Sequence, residues 1–452
     1  MNGMTYKIPD NTCSGTHYGS TSDQYSRSKR TNIMTEISTM PLPAPINWDE
    51  KSSEAELHIL GLDGVFLENQ LNLLWYLEAL AEVCSEVNLV RRKDIATFWQ
   101  PYLYREPGFT LQSFFSQWLT YTPTPDNPGL YIEYWDYLVN TESGLKLAND
   151  GYFRGWFRQF LNFHGDWINS TSSTDTLSAW MTYTGTEEHP FNIDHYERPD
   201  PHSPQGGFQS FNQFFLRNLK PGQRPLCNCA SDSGVVISPC DGGVFYLERG
   251  SSERNDSQAS NRYLLPGKSG DHFNLIEAIP GYGRCFVGGP LLDILLWFTD
   301  YHHFHAPVSG TVIEQGLYEG AYNYDFDNFN PRHPYDPLPP KNSDKVGWYQ
   351  KLGKHQRYVW VIKTPDLGLV AMVAIGFWGV GSIVNAIETG ADIEKGQFMG
   401  HFGYGGSSIV LAFEPGRNYQ FKVGDQPVRG PNEPTLMKVR ECLGRTVPPL
   451  EW

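Results

Sequence analysis

The sequence of 452 residues predicts an α+β protein, in which a helical N-terminal region precedes a β-rich domain with a barrel-sandwich-like core. Apolar residues recur at helical spacing between residues 46 and 226. Beyond residue 227, short β-branched runs such as "GVVISP", "GTVIEQ" and "LVAMVAIGF" alternate with Gly and Pro, as strands and turns do. Residues 1–45 are polar, end in "MPLPAP" and predict a disordered tail.

These shifts predict three segments: the tail at 1–45, a helical domain at 46–226 and the β-rich domain at 227–452. Two apolar stripes are expected to form the core of the helical domain. The first comprises Leu67, Leu71, Leu74, Leu77 and Leu80, and the second Trp156, Phe157, Phe160, Leu161 and Phe163. In the β-rich domain, "LLDILLWF" predicts a buried strand or short helix, and the Pro- and Asn-rich segment 323–349 predicts a loop that serves as a substrate lid.

Composition excludes several classes of protein. A formal charge of −15 argues against a nucleic-acid partner and, more weakly, against docking on an anionic membrane. The sequence has no signal-peptide core and no apolar run near the roughly 20 residues of a membrane span. Seven scattered cysteines favour a reduced, cytoplasmic enzyme. Only Cys227 and Cys229 are close, and Cys-x-Cys lacks the gap of the usual zinc pairs, so no metal is predicted.

Three motifs carry residues capable of chemistry. Asp241 in "SPCDGGV" is by itself a turn former. "DYHHFHAP" contains His302, His303 and His305, which suit acid–base catalysis; metal binding lacks a clear third ligand. "HFGYGGSSIV" is either a flexible loop or the site of a nucleophile at Ser407. The nucleophile elbow G-x-S-x-G of a serine hydrolase is absent around that serine.

Taken together, the motifs suggest self-cleavage. If Asp241 orients His305, and His305 takes the proton of Ser407, the serine oxygen attacks the carbonyl of Gly406. The acyl group moves from nitrogen to oxygen, β-elimination of the ester cuts the chain, and hydrolysis leaves a pyruvoyl group on the new N-terminus. Glycines at 405 and 406 permit the bent backbone that this attack requires.

The segment from about 211 to 444 resembles the phosphatidylserine decarboxylase family of pyruvoyl-dependent enzymes. The resemblance rests on "FNQFFLRNLKPGQRPL", "SPCDGGV", "DYHHFHAPVSGTV", "VAIGFWGVGSI", "IEKGQFMGHFGYGGSSIVLAFEPG" and "FKVGD". It implies that Asp241, His305 and Ser407 process the chain and that His302 assists decarboxylation. It also implies cleavage between Gly406 and Ser407 into chains 1–406 and 407–452, and a covalent pyruvoyl cofactor without PLP or metal. The usual Gly-Ser-Thr is Gly-Ser-Ser here, and Ser408 retains the hydroxyl.

The layout, with a long helical region before the catalytic half, is similar to that of soluble fungal tryptophan and amino-acid decarboxylases of the psilocybin-pathway type. This similarity implies that the enzyme forms a Schiff base with the amine of a free L-amino acid, such as L-tryptophan, and releases CO2. The alternatives are a phosphatidylserine decarboxylase that makes phosphatidylethanolamine, and a non-catalytic binding module on the same fold. Phe304, Trp378 and Tyr404 are either substrate-binding residues or core.

Overall fold

The computed structural model describes residues 40–85, 93–139, 141–187, 189–248, 262–264, 272–318, 355–377, 382–423, 426–428 and 435–447. The α+β prediction is confirmed, because helices dominate up to residue 215 and strands follow from residue 235. The predicted domain boundaries agree with this order and stay predictions. Most of the predicted tail, the predicted lid at 323–349 and Trp378 lie outside the described residues.

The helical region consists of short helices joined by capped turns. The α-helices before the first strand span Ser52–Leu60, Leu62–Glu68, Gln70–Val83, Lys93–Leu103, Leu111–Leu119, Leu130–Val139, Glu142–Asn149, Gly151–Ile168, Leu177–Thr182 and Phe211–Phe215, and Leu275–Ala278 follows within the β-rich part. Asp150 caps the longest helix, since its Oδ1 accepts hydrogen bonds from the backbone N–H groups of Tyr152 and Phe153.

One predicted core stripe is correct and the other is largely wrong. The stripe of the Gly151–Ile168 helix is buried, and its rings pack against Phe115 and Trp118. In the first stripe, Leu80 is buried, whereas Leu67, Leu71 and Leu74 are exposed.

The reason is the spacing of the leucines within one helix. Leu71, Leu74, Leu77 and Leu80 all lie in the helix Gln70–Val83, which starts after the Asn69 cap. An α-helix turns about 100° per residue, so a strict three-residue repeat drifts around the axis and Leu71 lies on the face opposite to Leu80. The helix turns Asn72, Tyr76 and Leu80 towards the core, and Asn72 donates a hydrogen bond of 3.0 Å to the Asp150 cap.

The β-rich part has seventeen strands in the described residues. They are β1 (Val235–Ile237), β2 (Gly242–Glu248), β3 (Arg262–Leu264), β4 (His272–Asn274), β5 (Leu291–Leu296), β6 (His303–His305), β7 (Gly310–Tyr318), β8 (Gln356–Lys363), β9 (Leu369–Phe377), β10 (Ile383–Asn385), β11 (Asp392–Ile393), β12 (Phe398–Phe402), β13 (Gly406–Phe413), β14 (Asn418–Val423), β15 (Gln426–Pro427), β16 (Thr435–Met437) and β17 (Cys442–Val447).

The main sheet has eight antiparallel strands in the order β11-β7-β8-β9-β13-β5-β2-β16. Smaller sheets, β10-β12-β6 and β1-β17-β14-β15, pack with one face of it around a common apolar core. The other face packs on the helical region, so residues such as Leu291, Val373 and Val410 join the aromatic helical core. Burial on both faces explains why the central strands are almost continuously apolar.

No helix within the described ranges is long and apolar enough to span a bilayer.

Most of the cysteines that the structure describes are free thiols, namely Cys84, Cys227, Cys229, Cys240 and Cys442. Cys285 is disulfide-bonded, so the expectation of reduced cysteines fails at that position.

The corrected helix face makes a stability prediction. Leu80→Ala removes a fully buried side chain and should cost about 2–5 kcal/mol of unfolding free energy. Leu74→Ala, on the same helix but exposed, should change it by no more than about 0.5 kcal/mol. Urea unfolding of both variants measures the difference. Equal losses would show that the leucine stripe of the sequence pattern is the buried one.

Candidate active site

The peptide bond between Gly406 and Ser407 lies at the start of β13, at the centre of the main sheet. Ser407 is paired with Gly376 on β9 and with Leu296 on β5, and its side chain is buried. Gly405, immediately before the strand, has φ of 142°, a backbone conformation that favours glycine. The scissile bond predicted from the sequence is therefore held between two strands, next to a bend that glycine permits.

His302 contacts the serine directly. Its Nδ1 lies 3.1 Å from Ser407 Oγ, and its Nε2 lies 2.9 Å from the carbonyl oxygen of Trp297. Because a carbonyl only accepts, Nε2 carries the proton and Nδ1 is left to accept the hydrogen bond of the serine hydroxyl. The ring stacks on Phe215 with centroids 3.9 Å apart. Burial, with the nearby Arg217, lowers the pKa of His302 to about 3, so the imidazole is neutral.

The anchor of His302 is the turn at residues 297–300, which three polar side chains fix. Arg217 donates to the carbonyl oxygens of Thr299 and Asp300 at 2.6 and 3.1 Å. The Asp300 carboxylate accepts from the backbone N–H of Trp297 at 2.9 Å and lies 3.2 Å from Lys438 Nζ. The turn therefore places the Trp297 carbonyl where it selects the tautomer of His302.

Asp241 is fully buried and paired with two cations. Its carboxylate lies 3.1 Å from the guanidinium of Arg224 and 3.3 Å from Lys438 Nζ, and it accepts from the backbone N–H of Val439 at 2.8 Å. Burial alone would raise the pKa of Asp241, but Lys438 and Arg224 hold it below its ordinary value. Asp241 is therefore a permanent negative charge within the fold.

His305 occupies a different position from the one expected. Its Nδ1 donates to the carbonyl oxygen of Gly396 at 2.9 Å, and its Nε2 lies 3.4 Å from the hydroxyl of Tyr301. Within the described residues, the structure brings His302, and not His305, into hydrogen-bond contact with Ser407, and Asp241 bonds to cations and not to His305. The charge of Asp241 still acts on His305, since it opposes the burial that lowers the His305 pKa to about 4.

The remaining candidates divide between the core and the site. Phe304 points away from the neighbouring histidines and packs against Trp360 and Phe402 in the apolar core between the sheets. Tyr404 is buried next to Phe215, the ring that stacks on His302, and its hydroxyl donates to the carbonyl of Pro128 at 2.6 Å. Of the two candidates that the structure describes, Tyr404 thus lies in the layer behind the site.

Sequence reasoning missed Asp293. This residue is on β5, inside "LLDILLWF", and faces the helical side of the sheet, where its carboxylate accepts a hydrogen bond from Ser408. Asp293 Oδ2 has no partner in the part of the chain that the structure describes. Burial raises the pKa of Asp293 to about 7, partly opposed by Ser408. A single acidic residue within an apolar run was the signal, because a buried strand seldom carries one.

These residues suit the formation of a pyruvoyl group from Ser407. The serine hydroxyl faces a neutral imidazole, its carbonyl neighbour is a glycine, and the surroundings exclude water. No such arrangement is needed in a carrier or binding module.

The phosphatidylserine decarboxylase profile matches residues 211–432, which include all of the contacts described above except those of the helical region and the residues near 438. That segment, just under half of the chain, is similar to this family. The phosphatidylserine decarboxylase family consists of pyruvoyl-dependent carboxy-lyases, several of whose members are named as proenzymes.

Three relatives show how far the similarity extends. The decarboxylase iboD of Amanita muscaria is 25% identical over 307 residues, covering 62% of this chain and 82% of that protein. Phosphatidylserine decarboxylase proenzyme 3 of Schizosaccharomyces pombe is 28% identical over 258 residues, covering 54% and 23%. The proenzyme of Chlamydia muridarum is 31% identical over 210 residues, covering 46% and 61%. The chain thus spans less than two thirds of these two proenzymes.

The buried carboxyl of Asp293 makes a pH prediction. Its folded pKa is raised above the ordinary value of 3.8, so the folded protein retains a proton that the unfolded chain releases. The associated stability is complete below about pH 4 and is lost as pH rises to about 7.

The comparison uses the uncut Ser407→Ala protein as the parent. Between pH 5 and pH 8, the unfolding free energy of the parent should fall by about 2–3 kcal/mol more than that of the parent carrying Asp293→Asn. Urea unfolding at both pH values measures this difference. The Asp232→Asn variant, at a partly exposed carboxyl far along the chain, is the control. Identical pH dependence in parent and Asp293→Asn would contradict a raised pKa.

Proposed function

We propose that the protein is a self-processing, pyruvoyl-dependent decarboxylase that acts on a free L-amino acid such as L-tryptophan. The observation that carries the proposal is the hydrogen bond between Ser407 and a neutral His302, directly after Gly406 and inside a water-excluded site. The similarity of residues 211–432 to the phosphatidylserine decarboxylase family supports the reaction class. A cytoplasmic location, predicted from the sequence, is part of the proposal.

For self-cleavage, we assign the proton of Ser407 to His305, supported electrostatically by Asp241, as the family resemblance implies. Removal of this proton lets Oγ form a bond to the Gly406 carbonyl carbon while the Gly406–Ser407 C–N bond breaks. The freed amine at residue 407 takes up a proton. β-Elimination then removes the Cα proton of residue 407 and breaks its Cβ–Oγ bond, so Gly406 leaves as a carboxylate and the chain is cut into 1–406 and 407–452. The dehydroalanine left at residue 407 tautomerises to an imine, and hydrolysis of the imine by water releases ammonia and leaves the pyruvoyl group. This assignment requires His305 to move towards Ser407 from its bond with Gly396, whereas His302 is already there.

In decarboxylation, His302 is the side chain that lies next to the reacting group at residue 407. The pyruvoyl group, once formed there, supplies a carbonyl that binds the substrate amine and draws electrons from its Cα. The turn at residues 297–300 keeps Nδ1 of His302 directed at this position. There Nδ1 takes up a proton from the substrate ammonium as the Schiff base forms and returns it to Cα when CO2 has left. Phe215, stacked on the imidazole, keeps water from the same face.

The free amino acid is favoured by the surroundings of the site and by the charge of the chain. The helical region packs on the main sheet, and Tyr404 bonds to Pro128 and contacts His164 in that region. A lipid headgroup would have to reach residue 407, which is buried, while its acyl chains stay in a bilayer. The formal charge of −15 also disfavours approach to an anionic membrane. The similarity to iboD, which covers most of both chains, supports a decarboxylase of this layout.

The two histidines can be separated by variants with two readouts. We expect His305→Ala and Asp241→Asn to remain uncut, because they affect the base of the processing step. His302→Ala should still be cut but should decarboxylate about 10²- to 10⁴-fold more slowly, because proton delivery at residue 407 is lost. The cut fraction is measured on denaturing gels, and CO2 release is measured on the cut protein.

His303→Ala is the matched control, since its ring bonds to the carbonyl of Leu216 and not to Ser407. An uncut His302→Ala together with a normally cut His305→Ala would assign the processing base to His302, as the contact distances alone suggest. That outcome would overturn the roles proposed here and leave the decarboxylase intact.

The substrate is tested by CO2 release from carboxyl-labelled compounds. We expect turnover of L-tryptophan or another free aromatic amino acid, and turnover of phosphatidylserine in mixed micelles at least about 100-fold lower in kcat/KM, a difference of about 2.7 kcal/mol. Turnover of the lipid but of no free amino acid would replace the proposed substrate by phosphatidylserine. A cut protein inactive on every amine would contradict the enzyme proposal and favour a binding module.

A further inference from the structure

Three cysteines converge at the junction of the helical and β-rich regions. The Sγ atoms of Cys227, Cys229 and Cys442 all lie within 4.8 Å of one another, and each residue is partly exposed. A tetrahedral zinc ion with Zn–S bonds of about 2.3 Å requires S–S distances of about 3.8 Å, which small side-chain rotations provide here. The sequence alone predicted no metal because Cys-x-Cys has no second pair; the fold supplies the third thiol from a position more than 200 residues away.

Backbone hydrogen bonds build this arrangement independently of the thiols. The N–H of Cys227 donates to the carbonyl of Arg440 at 3.2 Å, which fixes its segment beside the start of β17. Two successive turns follow, in which the carbonyls of Cys227 and Cys229 accept from Ala230 and Asp232 at 2.9 and 3.1 Å. The two side chains of the Cys-x-Cys pair are thereby presented to Cys442 by a fixed loop.

The charges near the thiols also suit a thiolate-bound cation. Three thiolates around a divalent ion carry a net charge of −1, which needs a cation nearby. Lys395 lies against the same loop, is 7% exposed, and its ammonium donates to the carbonyl of Asp232. The three thiols act on Lys395 electrostatically, which places its ammonium beside them. In the described part of the chain, these are the only three metal-binding side chains found grouped in this way.

We propose that Cys227, Cys229 and Cys442 bind a thiophilic divalent cation of the zinc class, with the fourth coordination position open to solvent. Binding replaces three S–H bonds by three metal–sulfur bonds and releases three protons to solvent. An exchangeable fourth position follows from the partial exposure of all three residues.

The metal would fasten two segments that adjoin those carrying the processing residues. Lys395 precedes Gly396, whose carbonyl accepts a hydrogen bond from His305. The backbone N–H of Lys395 donates to the hydroxyl of Ser309 at 3.0 Å. Cys442 follows Glu441, whose carbonyl accepts from the backbone N–H of Ser238 at 2.8 Å, three residues before Asp241. The proposed ion therefore lies behind the site and acts on structure, without contact with Ser407.

The test is zinc binding to the full-length protein. Protein incubated with ZnCl2 and desalted should retain about one zinc per chain by elemental mass spectrometry, and X-ray absorption should show Zn–S bonds of about 2.3 Å. Cys442→Ser should weaken zinc binding by at least about tenfold in a competition titration with a chelator. Cys84→Ser is the matched control, because Cys84 is a free thiol outside the cluster, and it should bind zinc as the wild type does.

A second measurement on the wild type does not depend on variants folding. Zinc should protect Cys227, Cys229 and Cys442 from alkylation, as read by peptide mass spectrometry, and should leave the labelling of the other free cysteines unchanged. No retained zinc, equal binding by Cys442→Ser and Cys84→Ser, or a disulfide within the cluster in freshly purified protein would each overturn the proposal. None of these outcomes bears on cleavage at Ser407.

Discussion

The burial of both faces of β13 is the constraint on which the site depends. One face lies in the apolar core between the sheets and the other against the helical region, so Ser407 and Ser408 are both removed from water although they point in opposite directions. Every polar group at this position must find a partner inside the protein. Ser407 finds His302, and Ser408 finds Asp293.

The same burial determines the electrostatics around the strand. Burial lowers the pKa of His302, which keeps the imidazole neutral. It raises the pKa of Asp293, so this carboxyl stays protonated to a higher pH than an ordinary aspartate. Asp241 remains charged only because Arg224 and Lys438 lie against it, and Lys438 also reaches Asp300, which shapes the turn that anchors His302. A single lysine therefore connects the buried carboxylate of the processing motif to the position of the histidine on Ser407.

Much of the fold and part of the site can be predicted from the sequence, and the failures have physical reasons. Strand and helix regions follow from periodicity, but the first leucine stripe fails because a three-residue repeat does not stay on one face of a helix with about 3.6 residues per turn. The motifs identify Ser407 and the histidines, whereas which histidine touches Ser407 depends on the carbonyl of Trp297. Asp293 and the third thiol of the cysteine cluster depend on strand pairing and on contacts distant in sequence.

We propose that Ser407 is converted to a pyruvoyl group by cleavage of its own peptide bond. The most direct measurement is the intact mass of the purified protein under denaturing conditions, with N-terminal analysis of each chain and with Ser407→Ala as the uncut reference. The account predicts two wild-type chains, the smaller beginning at residue 407 with a pyruvoyl group in place of the serine, and one chain for Ser407→Ala. A folded wild-type protein that remains a single chain, or a smaller chain that begins with an unmodified serine, would contradict it.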